Sequence, residues 1–482
     1  MAQYSKEPDI CVIGGGAGGL AVAAAAAAKG VAVVLVEKGR TGGQILTGAV
    51  PSKALRAAAK RAAAVRSGTR FGVRSVRSGV DFAAVTAHVH AAVEVVAPQV
   101  SSERFMGLGV RVIAGAARFK DANTIEAGDT PIKARRFVIA TGSRPIIPAI
   151  PGLAEVPYLI PHTVFGLSDY PRHLIVIGAG GIGLELAQTF RRLGSDVTVL
   201  EAETPLRRED PECAGVVLDT LTREGITLLS GVRIAQVRRA LARIQVVIAK
   251  SDSSGSGGDQ TIEATHLLVA AGRQPNIEEL NLEAAGIRHD SRGIAVDKYL
   301  RTSNKKVFAI GDVIGGPKFA HVANHHARLA VRNALSRHKL AVDRRAIPFV
   351  ISTDPELAQI GFLENEARQH AGAIRILRWP YMENDRAITA GATNGHIKVI
   401  TDRHGSILGV TIVGAGAGES IAAWSLAVGQ KLKIDALGGL IVPYPTYGEV
   451  GKHAANTYFM RGLTSSRVRR IIGWLRRPGG KG

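Results

Sequence analysis

The chain has 482 residues, of which 46% are hydrophobic and 5% aromatic, and it contains 56 glycines. This length predicts roughly two to four domains, and the composition excludes a disordered or fibrous chain and favours an α/β enzyme. The formal net charge is +21. Because the basic residues are spread along the chain without a nucleic-acid-binding module, we predict no nucleic-acid partner and a solvated basic surface.

The two cysteines, Cys11 and Cys213, lie far apart and fit no metal or redox spacing, so we predict no metal site. Cys11 lies in an apolar run and is predicted to be buried in a strand, whereas Cys213 is predicted to lie at a helix start. The sparse use of cysteine and an N-terminus unlike a secretory signal favour a cytoplasmic protein.

A dinucleotide-binding pattern begins near the N-terminus. Residues 9–13 read as a buried strand, and a glycine-rich loop, a helix and a second strand follow, ending at Glu37. Gly14, Gly16 and Gly19 let the backbone turn tightly and approach a pyrophosphate, which the helix N-terminus attracts. Glu37 is placed to accept hydrogen bonds from an adenosine ribose. A strand, loop, helix and acid in register predict a dinucleotide site.

The same pattern recurs in the middle of the chain. Residues 173–177 read as a strand, and the loop glycines that follow are Gly178, Gly180 and Gly183. The second strand of this unit ends at Glu201. Two complete patterns predict two dinucleotides, an arrangement typical of enzymes that move hydride from a nicotinamide to a flavin.

Glu201 also bears on the choice of nicotinamide cofactor. A carboxylate at this position binds a ribose 2′-hydroxyl and repels a 2′-phosphate, which favours NADH over NADPH. Arg207 and Arg208 lie close by in the sequence and leave NADPH open as the less favoured alternative.

Residues 42–53 read GGQILTGAVPSK. This segment resembles the active-site segment of the pyridine nucleotide–disulfide oxidoreductases, the family of lipoamide dehydrogenase, glutathione reductase and mercuric reductase. The resemblance runs from about residue 8 to residue 460. It includes further motifs at residues 140–145, 271–276, 308–312, 352–356, 383–387 and 441–446.

The resemblance implies an α/β fold with two Rossmann-like dinucleotide-binding domains, for FAD and NAD, and an α+β C-terminal dimerisation domain that makes the protein a homodimer. The implied segments are a first FAD-binding part at 1–150, the NAD-binding domain at 151–273, a second FAD-binding part at 274–345, the dimerisation domain at 346–465 and a basic tail at 466–482.

The family carries two redox-active cysteines in this segment, and the matching positions here hold Gln44 and Ala49. Neither side chain can form a disulfide, so the resemblance implies the scaffold of a disulfide reductase without its thiols. Lys53 and Glu185 match a family ion pair beside the flavin, where a cation favours hydride transfer to the flavin.

The resemblance also assigns residues near the C-terminus and around FAD. A family histidine–glutamate pair, supplied by the partner subunit, is matched by Tyr444 and Glu449, so the histidine is replaced. The further positions implied to contact the cofactors are Lys53, Thr141, Gly142, Gly272, Gly311, Asp312 and His321.

These patterns predict an NAD(P)H-dependent flavoprotein oxidoreductase that passes electrons from NADH through FAD directly to a non-thiol small-molecule acceptor. A quinone is favoured, and a metal complex or oxygen is open. Two alternatives are a pyridine nucleotide transhydrogenase and a redox-silent, membrane-associated flavoprotein scaffold.

The last residues form a basic amphipathic pattern. Val468, Ile471, Ile472 and Leu475 recur at helical spacing among arginines, with Trp474 beside them. Such a helix is typical of peripheral contact with an anionic membrane, here its inner face, although a helix packed on the protein body and a frayed tail are alternatives.

Overall fold

The computed structural model describes residues 7–74, 79–249 and 259–463. These residues form two compact units, the first comprising 7–204 and 225–342 and the second 205–224 and 343–463. The strands of the first unit are β1 Ile10–Ile13, β2 Val33–Glu37, β3 Arg111–Ala114, β4 Ala117–Asp121, β5 Thr124–Ala127, β6 Thr130–Lys133, β7 Arg136–Ile139, β8 Ser143–Pro145, β9 His173–Ile177, β10 Asp196–Glu201, β11 Thr227–Ser230, β12 Arg233–Ala240, β13 Arg243–Ala249, β14 Gln260–Ala264, β15 His266–Val269, β16 Arg273–Pro275, β17 His289–Asp290, β18 Gly293–Ile294 and β19 Val307–Ala309.

The second unit contains the strands β20 Phe349–Ile351, β21 Glu356–Gly361, β22 Ile374–Pro380, β23 His396–Asp402 and β24 Ile407–Gly414. The α-helices, in chain order, are α1 Ala17–Ala27, α2 Val50–Ser67, α3 Phe82–Val96, α4 Ser102–Gly107, α5 Gly181–Leu193, α6 Pro211–Arg223, α7 Ala320–Leu335, α8 Glu364–Ala371, α9 Asp385–Thr389, α10 Ala417–Gly429, α11 Ile434–Gly438 and α12 Glu449–Leu463. Of these, α6 and α8–α12 belong to the second unit.

A parallel sheet in the order β19-β7-β1-β2-β3 is the centre of the first unit. Its strands are apolar on both faces because both faces are covered. Ile10 and Val12 pack with residues of α1 and α7, whereas Cys11 and Ile13 pack with the three-stranded sheet β4-β5-β6. The carboxyl ends of β1 and β2 therefore meet at one edge, where a dinucleotide binds in such sheets.

A second parallel sheet, in the order β11-β10-β9-β15, repeats this plan within the same unit. It packs on the antiparallel sheet β12-β13-β14, whose Val237 and Val246 are fully buried. Residues 250–258, which connect β13 and β14 in the sequence, are outside the described part of the chain.

The second unit is built on an antiparallel sheet in the order β20-β21-β24-β23-β22. Helices α10, α11 and α12 cover one face through buried residues such as Trp424 and Leu437. Together the two units confirm the predicted α/β fold with an α+β C-terminal part.

Residues 205–224 group with the second unit, although the sequence division placed them inside the segment 151–273. A buried ion cluster explains this grouping. Lys398 Nζ lies 2.8 Å from Asp210 Oδ2 and 3.1 Å from Glu364 Oε2, and the Lys398 side chain is only 4% exposed. Asp210 also caps α6 by accepting from the backbone of Glu212 and Cys213. The boundaries of the five predicted segments stay predictions.

Candidate active site

The first glycine loop has the backbone geometry that a pyrophosphate requires. Gly14 has a φ of +103°, and a Cβ on it would lie 2.6 Å from the carbonyl oxygen of Ala140. A Cβ on Gly19 would collide with the carbonyl oxygen of Gly14. In contrast, no described atom lies within 4 Å of a Cβ built on Gly16. The loop is thus tightly packed at two glycines and open at the third, which leaves room for a ligand at the N-terminus of α1.

Glu37 stands at the end of β2 and is fixed by the same loop. Its Oε2 accepts from the backbone N–H of Gly15 at 2.5 Å, and its Oε1 accepts from that of Gly39 at 2.8 Å. Each carboxylate oxygen keeps a further lone pair, so the side chain can still accept hydrogen bonds from a ribose.

The second glycine loop repeats these relations almost atom for atom. A Cβ on Gly178 would lie 2.6 Å from the carbonyl oxygen of Ala270, and one on Gly183 would collide with the carbonyl oxygen of Gly178. The space beside Gly180 is again open. Glu201 Oε2 accepts from the backbone N–H of Ala179 at 2.7 Å. Each loop therefore has two tightly packed glycines and open space at a third, which is the backbone arrangement that suits a dinucleotide.

Residues 42–53 lie against the first glycine loop, because Gly42 N donates to the carbonyl oxygen of Gly15 at 2.8 Å. Residues Ile45–Ala49 form a π-helical turn that leads into α2. Gln44 and Ala49 are both exposed in the single chain, and Gln44 Nε2 donates to the carbonyl oxygen of Ser143 at 3.3 Å. This segment, which contains no cysteine, thus contacts both the first glycine loop and the motif at residues 140–145, which are predicted to bind FAD.

Lys53 and Glu185, 132 residues apart, form an ion pair with Nζ 2.9 Å from Oε2. Lys53 lies in the first turn of α2 and Glu185 in the second turn of α5, so the pair joins the helices that follow the segment and the second glycine loop. Lys53 is half exposed and Glu185 is 16% exposed. The structure brings these two predicted residues together, and their role beside the flavin stays a prediction.

A group of loop residues links the two motifs predicted to hold FAD. Thr141 Oγ1 donates to the carbonyl oxygen of Asn276 at 2.8 Å, and Asn276 Nδ2 donates back to the carbonyl oxygen of Thr141 at 2.9 Å. Gly142 and Gly272 lie beside these contacts, immediately before the paired strands β8 and β16. The motifs at residues 140–145 and 271–276 are therefore joined to each other by hydrogen bonds.

Asp312 is buried, and its Oδ2 accepts from Ser143 Oγ at 2.5 Å. Gly311, its neighbour after β19, donates its backbone N–H to His326 Nδ1 at 3.3 Å. His321 lies in the first turn of α7, with its ring 5.3 Å from that of Phe319.

Arg273 and His162 adjoin these residues, although neither is predicted from the sequence as a site residue. Arg273 Nη1 lies 3.3 Å from His162 Nε2, and Arg273 Nη2 donates to the carbonyl oxygen of Ser143 at 2.6 Å. Burial and the charge of Arg273 lower the pKa of His162. Arg273 occurs in one of the motifs that carry the family resemblance, whereas no pattern around His162 indicates a function.

Tyr444 and Glu449 lie in the second unit, close to one another in sequence. The Tyr444 hydroxyl donates to Asp385 Oδ2 at 2.7 Å, and this contact raises the pKa of the phenol. Glu449 begins α12, and its Oε2 accepts from the backbone N–H of Thr446 at 3.1 Å. Tyr444 is 71% exposed in the single chain, so it offers surface to another molecule.

Both cysteines of the chain are free and buried, which confirms the prediction for Cys11 in β1. Cys213 lies in the first turn of α6, also as predicted, and its Sγ is 3.5 Å from His396 Nε2. Burial raises the pKa of both thiols, and the carboxylates of Asp210 and Glu212 raise that of Cys213 further. Neither cysteine is therefore a reactive thiolate at neutral pH.

Within residues 7–74, 79–249 and 259–463, no cluster of histidine, cysteine, aspartate and glutamate side chains could hold a metal ion. The same residues include no helix that is long and apolar enough to span a bilayer. The predicted amphipathic tail, residues 466–482, lies outside the described part of the chain.

Two family models match this arrangement of paired glycine loops and C-terminal unit. Residues 8–327 match the pyridine nucleotide-disulphide oxidoreductase family, and residues 347–455 match its dimerisation domain. The chain therefore belongs to the pyridine nucleotide–disulfide oxidoreductases. Members of this family are NAD(P)H-dependent flavoprotein oxidoreductases that bind FAD, and the dimerisation domain supports a homodimer.

Particular relatives are similar along almost their whole length. The chain is 36% identical to a mercuric reductase of Streptomyces lividans, with 95% of this chain and 98% of the relative covered. It is 33% identical to a dihydrolipoyl dehydrogenase of Geobacillus stearothermophilus, with 94% and 97% covered.

Solved structures give the same result. The Cu(II) complex of the HOCl-induced flavoprotein disulfide reductase RclA from Escherichia coli matches with a TM-score of 0.83 at 25% identity, covering 94% of this chain and 99% of that one. LpdA from Mycobacterium tuberculosis matches with a TM-score of 0.84 at 26% identity, covering 93% and 99%.

Proposed function

We propose that this protein passes reducing equivalents from NADH, by way of FAD, directly to a non-thiol acceptor, and that this acceptor is a quinone. When bound, FAD supplies the step that accepts a hydride from reduced nicotinamide and releases one or two electrons. No disulfide relay takes part. A metal complex or oxygen is a less favoured acceptor.

One observation carries this proposal: residues 42–53 hold no cysteine, while the ion pair of Lys53 and Glu185 beside them is formed. If the protein had no redox function, nothing in the chemistry would require Glu185 to hold the Lys53 ammonium group beside the predicted flavin site. Cys11 and Cys213 are both fully buried, so neither replaces the missing thiols. Reduction of a disulfide substrate, or capture of Hg(II) by paired thiolates, therefore has no support here.

Each remaining side chain has a role that its surroundings support. Glu185 holds Lys53 in place, and the Lys53 ammonium favours negative charge on the reduced flavin. Glu201 binds the ribose of NADH and disfavours the 2′-phosphate of NADPH. Ala49 leaves space where the family's second cysteine stands, so a planar acceptor has room to approach. Tyr444 and Glu449 contact this acceptor from the partner subunit.

Anaerobic titration of the purified FAD-loaded protein with NADH tests the proposal. We expect a simple two-electron bleach of the oxidised-flavin band, with no long-wavelength thiolate-to-flavin band once nicotinamide is removed. Such a band would show that a thiol does lie against the flavin. A protein that does not bleach at all is a redox-silent scaffold.

A steady-state screen with NADH then identifies the acceptor. It compares menadione, ferricyanide, oxygen, Hg(II), lipoamide and a thio-analogue of NAD⁺. Turnover with menadione but not lipoamide supports the proposal. A transhydrogenase would use the second glycine loop for both nicotinamides in turn, so transfer to the thio-analogue as the fastest reaction would favour that alternative.

We also propose that residues 466–482 contact the inner face of an anionic membrane from the cytoplasm, which would bring the protein to a membrane quinone. This proposal rests on the sequence pattern alone, since these residues lie outside the described part of the chain. Removing them should lower binding to anionic vesicles at low salt and leave NADH–ferricyanide turnover intact. Equal flotation of both forms would contradict it.

A further inference from the structure

Helices α1 and α7 end beside one another at a surface cleft in the first unit. The cleft has a volume of about 400 Å³ and lies between residues 25–29, at the end of α1, and residues 328–336, at the end of α7. This volume falls in the range of small-molecule sites. Because α1 has 11 residues, its end lies about 16 Å from the first glycine loop at 1.5 Å per residue. The cleft is therefore separate from the predicted pyrophosphate site of FAD.

Part of the cleft wall is apolar. Val331 belongs to the core that α1 and α7 share, and Ala25 packs against that core. Leu335 lines the cleft one turn further along α7 and is 42% exposed. An apolar group bound here would remove the exposed surface of this leucine from water, which favours binding.

Three cations line the same cleft: Lys29, Arg328 and Arg332. Within the described part of the chain, none of their side chains has an ion-pair or hydrogen-bond partner. Residues 313–342, which include α7, contain no aspartate or glutamate. The positive charge at the cleft is thus not balanced by carboxylates of its own helix.

The electrostatics of the helix explains only part of this arrangement. A cation in the last turn of a helix is stabilised by the helix dipole, which accounts for Arg332. Arg328 lies a full turn earlier and, at i and i+4, repels Arg332. Burial and the charge of Arg328 lower the pKa of His325, so this charge also acts on a neighbouring side chain. An anion that binds at the cleft would relieve this repulsion.

Ser336 adds a neutral hydrogen-bond donor to the cleft. Its Oγ accepts from the backbone N–H of His338 at 3.1 Å. A hydroxyl accepts and donates at the same time, so its O–H can still donate to a ligand. The cleft therefore combines three cations, one hydroxyl donor and an apolar wall.

We infer that this cleft binds a phosphate monoester that carries an apolar group. A phosphate monoester has about two negative charges at neutral pH and three acceptor oxygens, which suit several cations and a hydroxyl donor. A carboxylate has one charge and balances the cluster less well. An inorganic anion leaves Leu335 exposed to water. This site does not depend on which acceptor takes the electrons in the proposed function.

Isothermal titration calorimetry with 1-naphthyl phosphate tests the inference. The protein is loaded with FAD and saturated with NAD⁺, so that the probe does not enter the second glycine loop. We expect Arg328→Gln and Arg332→Gln each to raise the dissociation constant about fivefold, because each removes a charged donor. Arg337→Gln is the matched control, since it removes the same charge from the next residue after the cleft lining ends at Ser336.

Two further probes separate the parts of the ligand. Inorganic phosphate lacks the apolar group and 1-naphthol lacks the charge, so each should bind at least about tenfold more weakly than 1-naphthyl phosphate. Competition by vesicles of phosphatidic acid would identify a lipid as the source of this chemistry, whereas competition by glycerol 3-phosphate alone would identify a soluble ester. Both of these results support the site.

The variants decide whether the cleft is a site. Weaker binding of 1-naphthyl phosphate in Arg328→Gln and Arg332→Gln, with Arg337→Gln unchanged, supports the inference. Equal binding in wild type and the two cleft variants overturns it, and so do equal losses in all three variants, since the general basic surface would then attract the probe. Inorganic phosphate that binds as tightly as 1-naphthyl phosphate also overturns it. FAD content and NADH–ferricyanide turnover should stay at wild-type values in every variant, which verifies that each variant is folded.

Discussion

The glycine loops and residues 42–53 lie side by side in the first unit, yet they retain the family pattern to different degrees. In the loops, Gly14 and Gly178 have φ values of +103° and +108° and nearly identical surroundings. In the segment, the glycines and the turn into α2 are present, whereas Gln44 and Ala49 stand at the positions that the resemblance assigns to the two family cysteines.

The difference separates two kinds of constraint. A loop glycine is required by the backbone, because any Cβ at Gly19 or Gly183 would collide with a carbonyl oxygen whatever reaction follows. A cysteine at position 44 or 49 is required only by thiol chemistry, since the fold of the segment holds without it. This contrast supports the proposal that the protein binds the family's cofactors but passes their electrons to a different acceptor.

The largest effect should follow from breaking the first loop. Gly19→Ala forces a methyl group against the Gly14 carbonyl oxygen, which costs about 1–3 kcal/mol or more because backbone cannot move aside as a side chain can. We expect both a lower melting temperature and loss of most bound FAD, measured as the ratio of flavin to protein absorbance.

Gly16→Ala is the matched change. Gly16 has a φ of −77°, which alanine adopts freely, and its Cβ meets no described atom within 4 Å. We therefore expect the apoprotein to unfold at the wild-type temperature while FAD binding falls. Full FAD content in Gly16→Ala would show that no pyrophosphate lies at this loop.

The loops are also where sequence reasoning was most accurate. The first strand of the second dinucleotide-binding pattern is predicted at residues 173–177, which are the bounds of β9, because an apolar run followed by a glycine loop has few other conformations. The ion pair of Lys53 and Glu185 followed from motif positions.

The features that sequence reasoning missed depend on contacts between distant residues. His162 and Arg273 are 111 residues apart, and neither lies in a local pattern that indicates the other. The grouping of residues 205–224 with the second unit depends likewise on Lys398, which reaches back to Asp210 across the sequence. The π-helical turn at Ile45–Ala49 has no propensity signal of its own.

A smaller effect should follow from removing the cation that the segment retains. In Lys53→Met we expect flavin reduction by NADH to slow about tenfold in stopped-flow experiments, which corresponds to about 1.4 kcal/mol of transition-state stabilisation. Lys120→Met is the control, because it breaks an exposed ion pair with Glu126 at 3.0 Å that lies outside the predicted site. Equal rates in both variants would remove Lys53 from the hydride-transfer step.

The two loop carboxylates should differ in effect although their contacts are alike. Glu201→Ala should reduce the preference for NADH over NADPH about fivefold, as expected from the loss of roughly 1 kcal/mol at a partly exposed hydrogen bond. Glu37→Ala should lower FAD affinity and leave this preference unchanged. A change of preference in Glu37→Ala instead would mean that the assignment of the two loops must be exchanged.

The last prediction is that alkylation has no effect on turnover. It tests most directly whether a thiol takes part in electron transfer, as it does not in the proposal drawn from residues 42–53. The chain has only two cysteines, both fully buried, and burial raises the pKa of each thiol. Because alkylating reagents attack the thiolate, N-ethylmaleimide at neutral pH should label neither Cys11 nor Cys213 in the native protein and leave NADH–menadione turnover unchanged. Mass spectrometry after denaturation, when both thiols should react, is the control. Loss of turnover in proportion to the labelling of either cysteine would mean that a thiol does carry electrons. The proposal that electrons leave FAD without a disulfide relay would then be wrong.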